Sequence, residues 1–169
     1  KEAEAALATS EERYRELVEN AASVILRMDP KGVVTFFNEY AEQLFGFSRE
    51  EIIGKNVVGT IVPKTESSGR DLEEMIRDIG AKPEAFASNE NENMRRDGKR
   101  LWLTWTNKAV RDDQGRVVEL LCIGKDITER KRIQEMLLDS EQRYRAVFEG
   151  AGDVILLHDI QGRIIDMNQ

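Results

Sequence analysis

The sequence repeats itself at a distance of 130 residues, and no other feature limits the possible folds as tightly. Ser10 to Glu39 reads SEERYRELVENAASVILRMDPKGVVTFFNE, and Ser140 to Gln169 reads SEQRYRAVFEGAGDVILLHDIQGRIIDMNQ, aligned without a gap. Arg13-Tyr14-Arg15 returns as Arg143-Tyr144-Arg145, Val24-Ile25-Leu26 as Val154-Ile155-Leu156, and Asp29, Gly32 and Asn38 as Asp159, Gly162 and Asn168. A period this long exceeds the 20 to 50 residues of a solenoid repeat, so each unit should be a whole domain with its connector. The sequence is therefore expected to be one full domain and the opening of a second, taken from a longer protein. The expected boundaries are a linker helix over 1–20, a domain over 21–128, a linker helix over 129–150 and a truncated second domain over 151–169.

The composition narrows the function. Lys and Arg number 25 against 32 Asp and Glu, a net charge of −7. That balance repels the phosphate backbone whose neutralisation drives nucleic-acid affinity, so no nucleic-acid partner is expected. No apolar run reaches the roughly 18 residues of a bilayer span, so no membrane contact is expected of this segment, and the reading is cytoplasmic, with any membrane anchor elsewhere in the parent. One Cys and one His exclude a Cys/His zinc cluster, and no metal site is read. No convergent acid–base or nucleophile set appears, so the segment is not expected to be an enzyme.

Along the chain, Lys1 to Asn20 lacks Gly and Pro and reads as a helix. Leu7, Tyr14 and Leu17 recur at heptad-like spacing, and Ile133, Leu137 and Tyr144 recur in the same register 130 residues later. Such a stripe suits pairing with another helix, or packing on its own domain. Val24 to Asp29 and Val33 to Phe37 flank a Pro-Lys-Gly turn and form a hairpin signal. Asn38 is placed to cap a helix to Phe45, and Ser48 with Glu51 has capping-box spacing. Leu72, Met75, Ile76 and Ile79 predict a helix closed by Gly80. Strands follow at about 87–95, 100–111 and 116–127, with Asp-Gly and Gln-Gly turns between them. The expected class is α+β: an antiparallel sheet with short helices on one face.

These residues resemble the PAS family. The resemblance rests on SEERYRELVENA, on Asn38, on GFSREEIIGKN from Gly46, on RRDGKRLW from Arg95 and above all on GKDITERKR from Gly124. It implies a five-stranded antiparallel sheet cupping a small cavity, a PAC-type ending, and a sensory role upstream of an output domain. That output would be a histidine kinase in a two-component phosphorelay or, as an alternative, a diguanylate cyclase or a transcription factor. The family's light-sensing flavin branch is similar at Gly54 to Val57, but its photoreactive cysteine would fall on Val57, which has no thiol, so flavin-cysteinyl adduct chemistry is excluded there. The haem branch needs an axial ligand on the longer helix; Met75 is the only soft candidate, and no His lies in the first domain, which argues against haem.

Strand parity places Leu26 and Met28 inside the cup, and the flavin-branch register places Leu103, Trp105 and Asn107 there. In Asn89-Glu90-Asn91-Glu92-Asn93 either the amides or the carboxylates face inward, and burying amides costs less, so Asn91 and Asn93 are placed inside. The expected lining is Leu26, Met28, Asn56, Val57, Met75, Ile76, Ile79, Asn91, Asn93, Leu103, Trp105, Asn107 and Cys122. Either the amides serve a small, partly polar, planar organic ligand, or they satisfy backbone and water; Trp105 stacks on a ligand or fills core, and Cys122 is read as core. Asp126, Ile127 and Thr128 are expected to relay a change in the cup to the outgoing helix, with Thr128 as its N-cap. A ligand-binding sensor and a ligand-free dimerisation and relay module both remain open; the first predicts an occupied cup, the second a filled one.

Overall fold

The computed structural model describes residues 18, 19 and 21–168. The expected helix face at Leu7, Tyr14 and Leu17 lies outside them. The chain divides into two compact units, Lys1–Thr128 and Glu129–Gln169.

The first strands of the first unit are β1 (Val24–Met28) and β2 (Val34–Phe37), an antiparallel hairpin with an irregularity between Arg27 and Met28. Its turn is closed locally: Asp29 Oδ1 accepts the Lys31 and Val33 amides at 2.8 and 2.9 Å, and Gly32 takes the positive φ of 86° the turn requires. Helix α1 (Glu39–Phe45) begins at Asn38, whose Oδ1 accepts from Ala41 N, and ends at Gly46. Ser48 and Glu51 form the reciprocal capping box of the four-residue α2 (Arg49–Ile52).

Helix α3 (Leu72–Ala81), capped by Asp71, buries Leu72, Met75, Ile76 and Ile79. It runs through Gly80 rather than stopping there. A Cβ on Gly80 would sit 1.9 Å from the carbonyl oxygen of Pro30, so the glycine allows the helix to meet the β1–β2 turn and is not a terminator. A 3₁₀ turn (Pro83–Phe86) leads into β3 (Ser88–Met94), β4 (Arg100–Arg111) and β5 (Val117–Asp126).

The strands form one antiparallel sheet in the order β2-β1-β5-β4-β3. The last strand made is thus the central one, paired with β1 on one side and β4 on the other. The inner faces of the strands pack against the helices to form the core, where Phe37 and Phe45 are fully buried with ring centroids 6.0 Å apart. Burying each such side chain contributes about 1.5–3 kcal/mol.

The second unit holds α4 (Thr128–Glu149, whose first residue closes unit one) and a hairpin of β6 (Leu156–His158) and β7 (Ile164–Met167). The repeat is reproduced in hydrogen bonds. Asp159 Oδ1 accepts the Gln161 and Arg163 amides as Asp29 does those of Lys31 and Val33. Asn168 accepts Ile155 N–H and donates to Asp153 O, as Asn38 does with Ile25 and Ser23. What differs is cover: Leu156 is 50 % exposed where its counterpart Leu26 is 3 % exposed. Among the described residues no helix is long and apolar enough to cross a membrane.

Candidate functional site: the cup and its exit

The inner face of the sheet and the helical layer line a cavity of about 20 Å³. Leu26 and Met28 of β1, Cys122 of β5, and Trp105 and Asn107 of β4 form its sheet wall. Asn89 and Asn91 of β3 continue that wall, α3 supplies Met75, Ile76 and Ile79, and the loop before it supplies Val57, Ile61 and Val62. A single water needs about 10–15 Å³ on this measure, whereas organic ligands occupy pockets of roughly 300–1,000 Å³. As it stands, the cup has room for one small guest.

The asparagines are committed to one another. Asn107 Nδ2 donates to Asn89 Oδ1 at 2.7 Å and to Phe86 O at 2.8 Å; Asn89 Nδ2 donates to Asn91 Oδ1 at 3.0 Å. Asn91 Nδ2 donates in turn to Asn93 Oδ1 at 3.3 Å, and Trp105 Nε1 donates to that same oxygen at 3.1 Å. Asn93 Nδ2 ends the row on Ile61 O at 3.1 Å. This directional row fastens β3, β4 and the Ile61 loop together, each bond contributing about 1 kcal/mol net. Among the described residues the buried side-chain polar atoms without a partner are Nε of Arg49 and of Arg95, and neither residue lines the cavity.

Several expected positions fall elsewhere. Asn56 is exposed, donating from Nδ2 to Lys31 O and accepting Val58 N–H, so it shapes a loop and does not line the cup. Asn93 and Leu103 are fully buried but lie beyond the cavity wall, Asn93 as the end of the amide row and Leu103 as core. Asn89, left out of the expected lining, belongs to it by the same parity that places Asn91. Ile61 and Val62 are likewise absent from the expected lining and belong to it; an apolar pair directly ahead of Pro63 is the signal the sequence offers. The carboxylates of β3 do face away from the cup, as parity predicts, yet Glu92 is buried under the 64–71 loop, accepting from Ser67 N and Oγ and from Arg100 Nη1. Cys122 is buried, and burial pushes its thiol up to about 12, so it stays protonated near neutrality.

Trp105 lines the cavity and also touches the strand that leads out of it. Its ring packs on Gly124, where an added Cβ would meet the indole at 2.7 Å, and Gly124 lies two residues before Asp126. At the junction Ile127 N donates to Trp102 O at 2.9 Å, Trp102 N donates to Thr128 Oγ1 at 2.9 Å, and Thr128 N donates to Asp126 Oδ1 at 2.8 Å. The start of α4 is thereby stapled to β4. Thr128 is not the N-cap expected from its type: it is the first helical residue, its hydroxyl is turned to Trp102, and Asp126 receives its amide. Along α4, Ile133, Leu137 and Tyr144 are exposed.

A five-stranded antiparallel sheet cupping a small apolar cavity, with its central strand running straight into a helix, defines the sensor class of α+β domains. Residues 12–127 match the PAS fold profile and residues 142–169 a PAS domain profile, and the chain belongs to the PAS family. Among characterised relatives, the two-component sensor PprA of Pseudomonas aeruginosa is 29 % identical over 132 residues, 78 % of this chain and 14 % of that protein. Sporulation kinase E of Bacillus subtilis is 27 % identical over 170 residues, 94 % of this chain and 20 % of that protein. The cyclic di-GMP phosphodiesterase PdeR of Escherichia coli is 30 % identical over 126 residues, 72 % and 18 % of the two chains. The chain thus spans a fifth or less of the length of these relatives.

Among solved structures, a PAS domain from Colwellia psychrerythraea superposes with a TM-score of 0.59 at 22 % identity, covering 70 % of this chain and 97 % of that one. The PAS domain of the quorum-sensing receptor RpfR from Cronobacter turicensis, solved in complex with C12:0, superposes at 0.50 with 28 % identity, covering 66 % and 99 %.

Proposed function

We infer that the chain is the sensory input and relay segment of a multidomain signalling protein, acting in the cytoplasm upstream of a histidine kinase phosphorelay. The observation that carries this reading is the junction at Asp126-Ile127-Thr128. The strand that forms the cup's inner wall continues into α4 within two residues, and three hydrogen bonds make strand end and helix start one mechanical piece. In this reading a change in the cup that moves Trp105 or β5 is passed to Thr128, the first residue of α4. A guest biases this equilibrium only by its differential affinity for the two arrangements. The exposed Ile133, Leu137 and Tyr144 suit self-association with the same helix of a second copy, so that motion of α4 becomes repacking of a helix pair. The segment itself carries no reaction in this reading; catalysis belongs to the output domain.

The test is autophosphorylation of the full-length parent carrying Thr128→Val or Thr128→Ser. Loss of signal-dependent kinase activity with valine but not with serine is the expected result; an equal response in both variants would remove the junction from the relay.

An organic guest in the cup is a second reading, supported by the C12:0 complex of the related RpfR domain. It requires the cavity to open from about 20 Å³ to several hundred, with rearrangement of the amide row. Soaking with medium-chain fatty acids and following the melting temperature tests it: stabilisation supports this reading, and no shift leaves the relay with a filled cup.

A further inference from the structure

The residues that precede β1 are tied to the first unit at two points. Val18 and Glu19 are helical, and the Val18 carbonyl accepts from Nδ2 of Asn38, the cap of α1, at 3.0 Å. The Glu19 carboxylate reaches further. Its Oε2 accepts the Glu39 amide at 2.9 Å, and its two oxygens take Nη2 of Arg49, the first residue of α2, at 2.8 and 3.0 Å. Arg49 in turn lies over Phe36 of β2, its guanidinium carbon 5.8 Å from the ring centre, and its backbone amide donates to Glu42 Oε1 at 2.6 Å. One carboxylate of the incoming chain thus joins α1, α2 and, through Arg49, β2.

Arg49 has a second place to go. Glu42 Oε2 stands 3.7 Å from the same Nη2, so the guanidinium sits between two carboxylates and favours Glu19. That choice leaves Nε of Arg49 buried without a partner, a cost that Glu19 sustains and that release of Glu19 removes the reason to bear. Behind Arg49 the way to the cup is short and held by backbone bonds. Helix α2 ends at Ile52, Gly54 N donates to Val34 O and Val34 N to Lys55 O, both at 2.9 Å, and Val57 stands in the cavity wall. The sequence marks this contact twice: Glu19 and Asn38 recur as Glu149 and Asn168, while their neighbours Val18, Asn20, Phe37 and Glu39 change to Phe148, Gly150, Met167 and Gln169. The return of the asparagine is accounted for by its bonds to the hairpin strands, but no bond within either hairpin needs the glutamate. Glu149 is the last residue of α4.

We propose that Glu19 and Arg49 form an entry latch, a second input to the unit besides the cup. Movement of the helix leading in draws Glu19 off Arg49, Arg49 turns to Glu42, and α2 carries the change to Val57. The surface formed by Asn38, Glu39 and Arg49 accepts the end of a helix that presents a carboxylate beside a backbone carbonyl. In a tandem array that helix is the outgoing helix of the unit before, and α4, stapled at Thr128 and ending in Glu149, is built for both duties. Only a two-state element that the incoming helix biases can pass on its movement, and Arg49 between Glu19 and Glu42 is that element. The proposal rests on the relay reading, to which it adds an entrance. Its test involves neither Thr128 nor kinase output, so failure of the latch leaves the exit junction standing, and failure of the junction leaves the latch.

The experiment compares four variants of the whole chain by urea unfolding and amide NMR: Glu19→Gln, Arg49→Gln, the two combined, and Arg111→Gln, which breaks the exposed pair with Glu84. Glu19→Gln and Arg49→Gln should each lower the folding constant by only ~2–5-fold, as a part-exposed ion pair allows, so every variant stays folded. The combined variant should fall no further than Arg49→Gln alone, because both changes remove the same contact. The readout that an ion pair of purely structural value would not move is the cup wall. The amide resonances of Lys55 and Val57 should shift in the same direction in Glu19→Gln and Arg49→Gln, and should stay in place in Arg111→Gln. Unshifted Lys55 and Val57 in Glu19→Gln, additive losses in the combined variant, or equal shifts in Arg111→Gln would each overturn the proposal.

Discussion

Replacing Thr128 by valine keeps the shape and the β-branch of the side chain while deleting the oxygen that accepts the Trp102 amide at 2.9 Å. Threonine and valine have nearly equal helix propensities, so the first turn of α4 should not be weakened on its own account. What is lost is one good hydrogen bond, worth about 0.5–1.5 kcal/mol, and the long 3.5 Å donation from the hydroxyl to Trp102 O, which adds little. A half-buried Trp102 N–H also loses its partner, which costs up to about 3 kcal/mol where water is excluded and less here. The expected total is about 1.5 kcal/mol, which for a unit of this size lowers the melting temperature by roughly 4–8 °C. The site of the loss is as informative as its size. If the bond breaks locally, amide exchange followed by NMR should show Trp102 losing roughly tenfold protection, while the amides of the β1–β2 hairpin keep theirs until the whole unit opens. Thr128→Ser restores the oxygen and should stay within about 0.5 kcal/mol of the parent. A valine variant with unchanged stability and unchanged Trp102 protection would refute the idea that this hydroxyl ties the helix to the sheet.

Gly80→Ala should destabilise by about 1–3 kcal/mol in urea unfolding, because the new Cβ collides with Pro30 O, although alanine at an open helical site would gain about 1 kcal/mol; a stabilised variant would show that the turn yields freely. Asn38→Ala removes the acceptor for Ile25 and Ala41 and the donor to Val18 and Ser23 at a fully buried position, so its cost should exceed the ~1 kcal/mol of an ordinary cap and reach about 2–4 kcal/mol; a cost at the ordinary level would mean that the bonds to β1 contribute nothing. Cys122 gives a pH signature. Its folded pKa, about 12, lies above the ordinary 9.0, so the unfolded chain ionises first and stability falls as pH rises from 9 towards 12. Cys122→Ala should flatten that slope in equilibrium unfolding across the same range, and an unchanged slope would place its origin in other groups.

Features fixed by neighbours in sequence were legible from it. Asn38, the Ser48–Glu51 capping box and the Asp29-to-Gly32 turn act over two to four residues, so type and spacing suffice to find them. Strand parity sorted the β3 amides from the carboxylates because the pleat has a period of two and burying unpaired charge is costly. Features fixed by distant partners were not. Gly80 looks like a helix terminator until Pro30 is brought against it. Glu92 looks solvated until the 64–71 loop covers it. Thr128 looks like a cap until Trp102 takes its hydroxyl. The closure of the cup was beyond reach for a related reason: parity tells which side chains point inward but not how completely they fill the space between two layers.

The placement of β5 has a consequence for how the protein is made. During synthesis β1 to β4 emerge before the strand that joins them, leaving two separate pieces of sheet whose inner edges wait for the same partner. The hairpin closes through local contacts and can form early, but the sheet becomes continuous only when Val117–Asp126 slots between β1 and β4. The next residues on the chain begin α4, anchored by the bonds that β4 offers once β5 is beside it. An incompletely folded unit therefore has no anchored outgoing helix.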